Sequence, residues 1–296
     1  QVDGLYLPDT KEPRFFGNTA AYERGMRWYL EEYFKGAEAC RARGEATPQY
    51  LHGRGVVAER VRARLGADLK FVVLLRDPVE RAWSHYLHMR RLGTEDLSFE
   101  EALAAEAGRL AENPESWFGY FSDGLYAAAL REWFGLFPKD RFLILLTDEL
   151  RRRPREVVER VCGFVGVEPP AELELRVDSN SAAAARSSVL ATLLNKPNSV
   201  TNALKLLIPY NVRQSARDFL NSWNRDYETE PPPLSADIEQ HLRRSYEADV
   251  EALERMTGFD LGAWSSSRFK PRSPEERVPA PSPPARPASG GPSRAK

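Results

Sequence analysis

The chain is poor in the residues that build metal centres, disulfide frameworks and membrane spans. Cysteine occurs only at Cys40 and Cys162, far apart and without metal-ligand spacing, so both are expected to be reduced structural thiols. The four histidines, His52, His85, His88 and His241, form no HExxH pattern, which argues against a zinc site. No apolar run approaches the roughly 18 residues that a membrane helix requires. The opening QVDGLYLPDT lacks a basic start followed by an apolar stretch, so no membrane segment is expected. Net charge is scarce as well: 42 basic against 43 acidic side chains leave -1, no global attraction to nucleic acid. What is present, 42% hydrophobic and 29% charged residues in a chain of 296, is the composition of a globular protein able to bury a sizeable core.

The most informative stretch is FVVLLRDPVERAWSHY, from Phe71 to Tyr86. Phe71 to Leu75 form a short, continuous, partly β-branched run, which predicts a strand buried on both faces of a parallel sheet. The strand ends at Arg76. Asp77 is a natural N-cap, Pro78 suits the first helical position, and Glu80 can complete a capping box. In the helix beyond this turn, Val79, Trp83, Tyr86 and Leu87 make an apolar stripe, leaving Arg81, Ser84 and His88 on another face. Asp77 to Ser84 rises roughly 10 Å, a gap that Arg76 reaching along the helix largely closes. Arg76 and Ser84 can then grip one phosphate, the guanidinium as a charged fork and the hydroxyl as one further donor. The plainer alternative pairs Arg76 with Asp77 or Glu80 and leaves Ser84 on the helix surface.

Elsewhere, Leu5 to Leu7 read as a short strand, and Thr19 to Phe34 as one helix ended by Gly36. Gly44 to Tyr50, GEATPQY, reads as a loop that presents side chains, because Pro48 biases Thr47 away from helix. Helices are expected over Val56 to Leu65, Leu97 to Leu110, Leu125 to Phe137 and Pro154 to Val165, with a second buried strand over Phe142 to Leu146. Alternating helices and apolar runs indicate an α/β sheet protein. Residues 178 to 223 contain helices without placeable boundaries, Pro231 to Pro233 interrupt regular structure, and a helix runs from Ser235 to Leu253 with Leu261 and Trp264 tucked under its end. One domain is expected over 1–264, followed by a disordered Pro/Ser/Arg-rich tail over 265–296.

KEPRFF, WYLEEYF, GEATPQY, FVVLLRDPVERAWSHY, GLYAAALREWFGLFP, DRFLILLTDEL, VCGFVGV and HLRRSYEADVEALERMTGFDLGAW, in this order, resemble sulfotransferases that use 3'-phosphoadenosine 5'-phosphosulfate (PAPS). The branch is the bacterial and heparan-sulfate type. The resemblance implies a P-loop-NTPase-like, three-layer α/β fold with a central parallel sheet flanked by helices. It implies that Arg76 and Ser84 bind the 3'-phosphate, with Gly124 and Tyr126 near the cofactor. Glu12 stands where relatives carry the carboxylate base that takes the acceptor proton. Glu45, Thr47 and Tyr50 become candidate substrate contacts. Arg14 stands where relatives often have histidine, and Ala46 where some have lysine.

Relatives also carry, upstream of the Lys-Glu-x-x-Phe-Phe element, a strand and a Gly/Ser/Thr-rich loop with a lysine that cradles the 5'-phosphosulfate. QVDGLYLPDT matches only the segment downstream of that loop, so the domain is expected to be N-terminally incomplete. The implied activity is sulfuryl transfer from PAPS, without a metal, to a hydroxyl or amine of a small-molecule or saccharide acceptor, leaving 3'-phosphoadenosine 5'-phosphate (PAP). The competing expectation is a catalytically inactive PAP-binding or interaction protein. A cytoplasmic location is expected, or the Golgi lumen if an upstream anchor exists; no nucleic-acid partner is expected.

Overall fold

The computed structural model describes residues 2–53, 55–172, 184–185, 225–226 and 233–265. Strand β1 (Leu5–Tyr6) leads into helices α1 (Thr19–Tyr22) and α2 (Gly25–Tyr33). The single helix expected over 19–34 is thus two, because the chain turns at Gly25, whose φ of 84° favours a residue without a Cβ. Strand β2 (Ala42–Arg43) pairs in parallel with β1, and a 3₁₀ turn at Pro48–Tyr50 precedes α3 (Val56–Leu65).

Strand β3 (Phe71–Leu75) and helix α4 (Pro78–Arg91) come next, as the sequence predicts. Helix α5 (Phe99–Glu112) starts at a capping box between Ser98 and Glu101, and α6 (Tyr126–Leu136) precedes strand β4 (Phe142–Leu146). β4 pairs in parallel with β3, residue for residue from Phe71 with Phe142 to Leu75 with Leu146. Helices α7 (Thr147–Arg152) and α8 (Pro154–Val165) lie beyond it. A two-residue antiparallel pair, β5 (Ala184–Ala185) with β6 (Arg225–Asp226), precedes α9 (Ala236–Thr257) and α10 (Gly262–Ser265). The helices expected within 178–223, apart from 184–185, and the tail beyond 265 lie outside the described residues.

One expectation about β3 fails. Val72 and Leu74 are each 44% exposed, while Leu75 is buried. Phe71, Val73 and Leu75 face the packed side, and the opposite side of β3 is left half-open by the described elements. The continuous apolar run therefore marks a parallel strand, but it does not report how many faces are covered.

Two cores meet at α6. One joins β3, α4, α5 and α9 around Leu75, Val79, Tyr86, Leu130, Tyr246 and Leu253. The other gathers Phe15 and Phe16 with Tyr29, Tyr33 and Val57. Tyr126 and Leu130 of α6 belong to the first, whereas Trp133 belongs to the second. No side chain of its own caps this helix; Asp249 of α9 accepts from the amides of Ala127 and Ala128 at 2.9 and 3.0 Å. A distant carboxylate thus does the work of an N-cap.

Helix α9 also fixes the turn after β3. Asp77 Oδ1 accepts from the amides of Val79 and Glu80, while Arg243 Nη1 lies 3.0 Å from Asp77 Oδ2. Arg243 Nε pairs with Glu239 at 2.9 Å, and its Nη1 also donates to the Trp264 carbonyl. All three charged side chains are under a tenth exposed. Arg243→Ala strands two buried carboxylates without this guanidinium. The expected loss is about 3–5 kcal/mol, read as a lower urea midpoint at unchanged m-value.

Candidate functional site

Arg76 leaves the end of β3 and bonds through Nε to Glu80 Oε2 at 3.0 Å, so the Arg76–Glu80 alternative is the pairing observed. Glu80 consequently does not close a capping box with Asp77. Arg151 Nη1 stands 4.0 Å from the same Glu80 oxygen, which adds a second guanidinium to the turn. The pair with Glu80 takes Nε, and the outer nitrogens of the Arg76 fork are the donors suited to a phosphate. Because Asp77 already satisfies the Val79 and Glu80 amides, an anion here has to be taken by side chains. Ser84 lies two turns along α4, partly buried.

Tyr126 stands against this turn. Its side chain is buried, its hydroxyl interacts with the Arg76 main chain, and burial pushes its pKa up to about 12. The Tyr126 ring neighbours His52 at 5.9 Å and Trp264 at 6.2 Å. Gly124 serves packing: a Cβ there would sit 2.6 Å from the Tyr246 hydroxyl.

The segment carrying Glu12 has an unusual backbone. Glu12 and Arg14 have φ of 52° and 58°, the non-glycine residues with positive φ among those described. Glu12 adopts this conformation directly before Pro13, where an extended one is favoured, and each left-handed residue costs about 1–3 kcal/mol. Packing holds the segment in place. Phe15 and Phe16 are buried, Phe15 stacks on Tyr29 at 4.4 Å, and Arg60 Nη1 donates to the Phe16 carbonyl at 3.0 Å.

Glu12 Oε2 accepts from Arg14 Nη2 at 2.9 Å and from Gln49 Nε2 at 3.5 Å. The Arg14 guanidinium lies 3.5 Å over the Trp117 ring. Buried Arg14 Nε, Gln49 Oε1 and Ser116 Oγ have no hydrogen-bond partner. A carboxylate, an amide, a guanidinium and an indole therefore converge beside unspent polar atoms. Gln49 and Trp117 were not singled out from the sequence; the available signal was the aromatic loop SWFGYF and the position of Gln49 inside GEATPQY.

Glu45, Thr47 and Tyr50 turn inward, against the expectation of a loop that presents them. Glu45 Oε1 accepts from the Tyr29 and Tyr50 hydroxyls, both at 2.9 Å, and Oε2 accepts from Thr47 Oγ1 at 2.5 Å. Desolvation raises the Glu45 pKa against the three hydrogen bonds that lower it, and raises both tyrosines above their ordinary value.

Helix α6 joins the two regions. Trp133 Nε1 donates to the Leu51 carbonyl at 3.1 Å, while Tyr126, at the other end, meets the Arg76 turn. The structure thus joins Glu45, Thr47 and Tyr50 by hydrogen bonds next to the Glu12 segment and places Arg76 and Tyr126 at the strand-to-helix turn, with Ser84 two turns further along α4.

The Sulfotransferase domain family matches residues 7–201. The chain belongs to the sulfotransferase family. Human heparan sulfate glucosamine 3-O-sulfotransferase 6 is 33% identical over 156 residues, covering 53% of this chain and 43% of that protein. Human bifunctional heparan sulfate N-deacetylase/N-sulfotransferase 3 is 30% identical over 168 residues, covering 55% of the chain and 19% of that protein. The chain therefore matches less than half the length of either. A crystal structure of a sulfotransferase from Alicyclobacillus acidocaldarius superposes with a TM-score of 0.60 at 25% identity, covering 89% of both chains. The fold is accordingly the P-loop-NTPase-like α/β fold of sulfotransferases.

Membership implies PAPS as sulfuryl donor, and the outer nitrogens of Arg76 and the hydroxyl of Ser84 are donors of the type that a phosphate monoester takes. Among the described residues, no group of three His, Cys, Asp or Glu side chains is arranged to hold a metal ion, and no helix is long and apolar enough to cross a membrane. His85 is unsuited to proton transfer at neutral pH. Burial, with Arg81 and His88 nearby, pushes its pKa down to about 3, so the ring stays neutral. Its ring carbon resonance is expected not to titrate between about pH 5 and 8; a midpoint in that window would contradict this environment.

Proposed function

We propose that the protein transfers a sulfuryl group from PAPS to a hydroxyl or amine of a saccharide acceptor, with Glu12 as the base. The observation that carries this reading is the Glu12 carboxylate held on a strained, packed segment beside Arg14, Gln49 and Trp117. Strain of this kind persists where the surroundings over-determine it, as functional sites do. The indole and the polar groups around it are the chemistry of a sugar site, apolar ring faces between hydrogen-bonding edges. The heparan sulfate acceptors named for the similar proteins support a saccharide here too.

When bound, PAPS supplies the activated sulfuryl group. Arg76 and Ser84 hold its 3'-phosphate, and Tyr126 supports the turn through the Arg76 main chain. With PAPS bound, Glu12 would take the acceptor's proton as the acceptor gains the sulfuryl group, while the sulfur–oxygen bond to the 5'-phosphate breaks and PAP leaves with its electron pair. Arg14 and Gln49 fix the carboxylate before the acceptor arrives, which reduces the orientation left to chance. Glu45, Thr47 and Tyr50 shape the floor beneath that segment.

The test is sulfuryl transfer by the full-length protein from PAPS to saccharide acceptors, with Glu12→Gln beside the native enzyme. The expected result is a fall in kcat of about 100- to 10,000-fold at unchanged affinity for PAP. A Glu12→Gln enzyme as fast as the native one removes Glu12 from the chemistry.

A further inference from the structure

The half-buried carboxylate of Glu45 does more than floor the segment, because its partners lead to the main chain just after Glu12. Thr47 Oγ1, which donates to Glu45 Oε2, accepts from the Arg14 amide at 3.3 Å. Tyr50 Oη, which donates to Glu45 Oε1, accepts from the Phe16 amide at 3.2 Å. Tyr29 supplies the third hydroxyl, and its ring stacks on Phe15, the residue between those two amides. One carboxylate therefore stands behind both side-chain acceptors of the main-chain amides just after Glu12, while Arg60 holds the Phe16 carbonyl independently.

The direction of these bonds matters. An ionised carboxylate can only accept, so every hydroxyl touching it must spend its proton there. Each hydroxyl is then left with lone pairs alone for its second neighbour, which is what a backbone N–H requires. Chains of this kind polarise one another and act as a unit. We propose that Glu45 is a positioning residue: its carboxylate orients Thr47 and Tyr50 so that they hold the 12–16 segment, with Glu12 and Arg14 left-handed, in the conformation that places Glu12 for proton transfer. This rests on the reading of Glu12 as the base, and it gives Glu45, Thr47 and Tyr50 a task beyond contact with the acceptor.

Glutamine at position 45 keeps the volume but replaces one accepting oxygen by a donor. The hydroxyl facing that donor must turn round, and its hold on the backbone amide weakens. A role confined to stability makes a different prediction. Desolvation lifts the Glu45 pKa above its unfolded value, so its contribution to stability is present below the unfolded pKa and is lost as pH rises through the folded one. A role confined to stability therefore shows in the melting temperature and its pH dependence, without a selective change in exchange at Arg14 or Phe16.

The experiment measures amide hydrogen exchange at Arg14 and Phe16, PAP affinity, melting temperature and kcat, in the full-length protein with Glu45→Gln and Thr47→Val. Expected for Glu45→Gln are exchange faster by about ten-fold at whichever of the two amides is held by the hydroxyl facing the new donor, kcat lower by about 100-fold, and unchanged PAP affinity. Thr47→Val, which retains the carboxylate, should free the Arg14 amide alone. Unchanged exchange in Glu45→Gln overturns the proposal, including the case in which only acceptor KM rises, since Glu45 is then a substrate contact. If the native enzyme transfers no sulfuryl group, the reading of Glu12 fails, while the exchange data still decide whether Glu45 holds the segment.

Discussion

A single buried pair, Asp77 with Arg243, connects the strand-to-helix turn to a helix 166 residues further along the chain. One oxygen of Asp77 caps α4 and the other meets Arg243, whose guanidinium also reaches Glu239 and the Trp264 carbonyl. A buried ion pair is weak evidence of net stability, because desolvation offsets most of the attraction. Its effect here is geometric. It fixes where β3 stops and α4 starts, and so where Arg76 and Ser84 stand relative to each other. With the helix amides already committed to Asp77, anion binding at this turn falls to side chains.

The two halves of the site are separate cores joined through α6. Asp249 reaches from α9 to cap its first turn, Tyr126 meets the Arg76 main chain, and Trp133 holds Leu51 just after GEATPQY. Movement of α6 would shift the Arg76 turn and the GEATPQY loop together. Gly124 lets that end seat closely against Tyr246, with no room for a side chain. Rigidity in this bridge matters because proton transfer requires hydrogen-bond distances, and small displacements are costly.

Local signals carried much of the fold. The apolar runs of β3 and β4, proline at the first positions of α4 and α8, and the stripe of α9 can each be read within a dozen residues. Where the sequence misled, the deciding interaction was remote or directional. The 19–34 periodicity hides the break at Gly25, and the run Phe71 to Leu75 cannot say that Val72 and Leu74 stay half-exposed. Asp249 as the cap of α6 and Arg243 as the partner of Asp77 lie more than a hundred residues from the groups they hold. For the candidate site, ordered motifs are what nominate Glu12, Arg76, Ser84 and Tyr126. The inward turn of Glu45 was not, since a loop containing Pro48 gives no hint that three hydroxyls await its carboxylate.

The central claim is that the turn after β3 is a phosphate site built from Arg76. Calorimetry with PAP and with adenosine 5'-phosphate, which lacks the 3'-phosphate, tests it most directly when both are titrated into the native protein and Arg76→Ala. The account predicts that the native protein prefers PAP and that Arg76→Ala erases this preference, leaving the affinity for adenosine 5'-phosphate nearly as it was. A preference for PAP that survives in Arg76→Ala would contradict it, and would place the 3'-phosphate elsewhere on the protein.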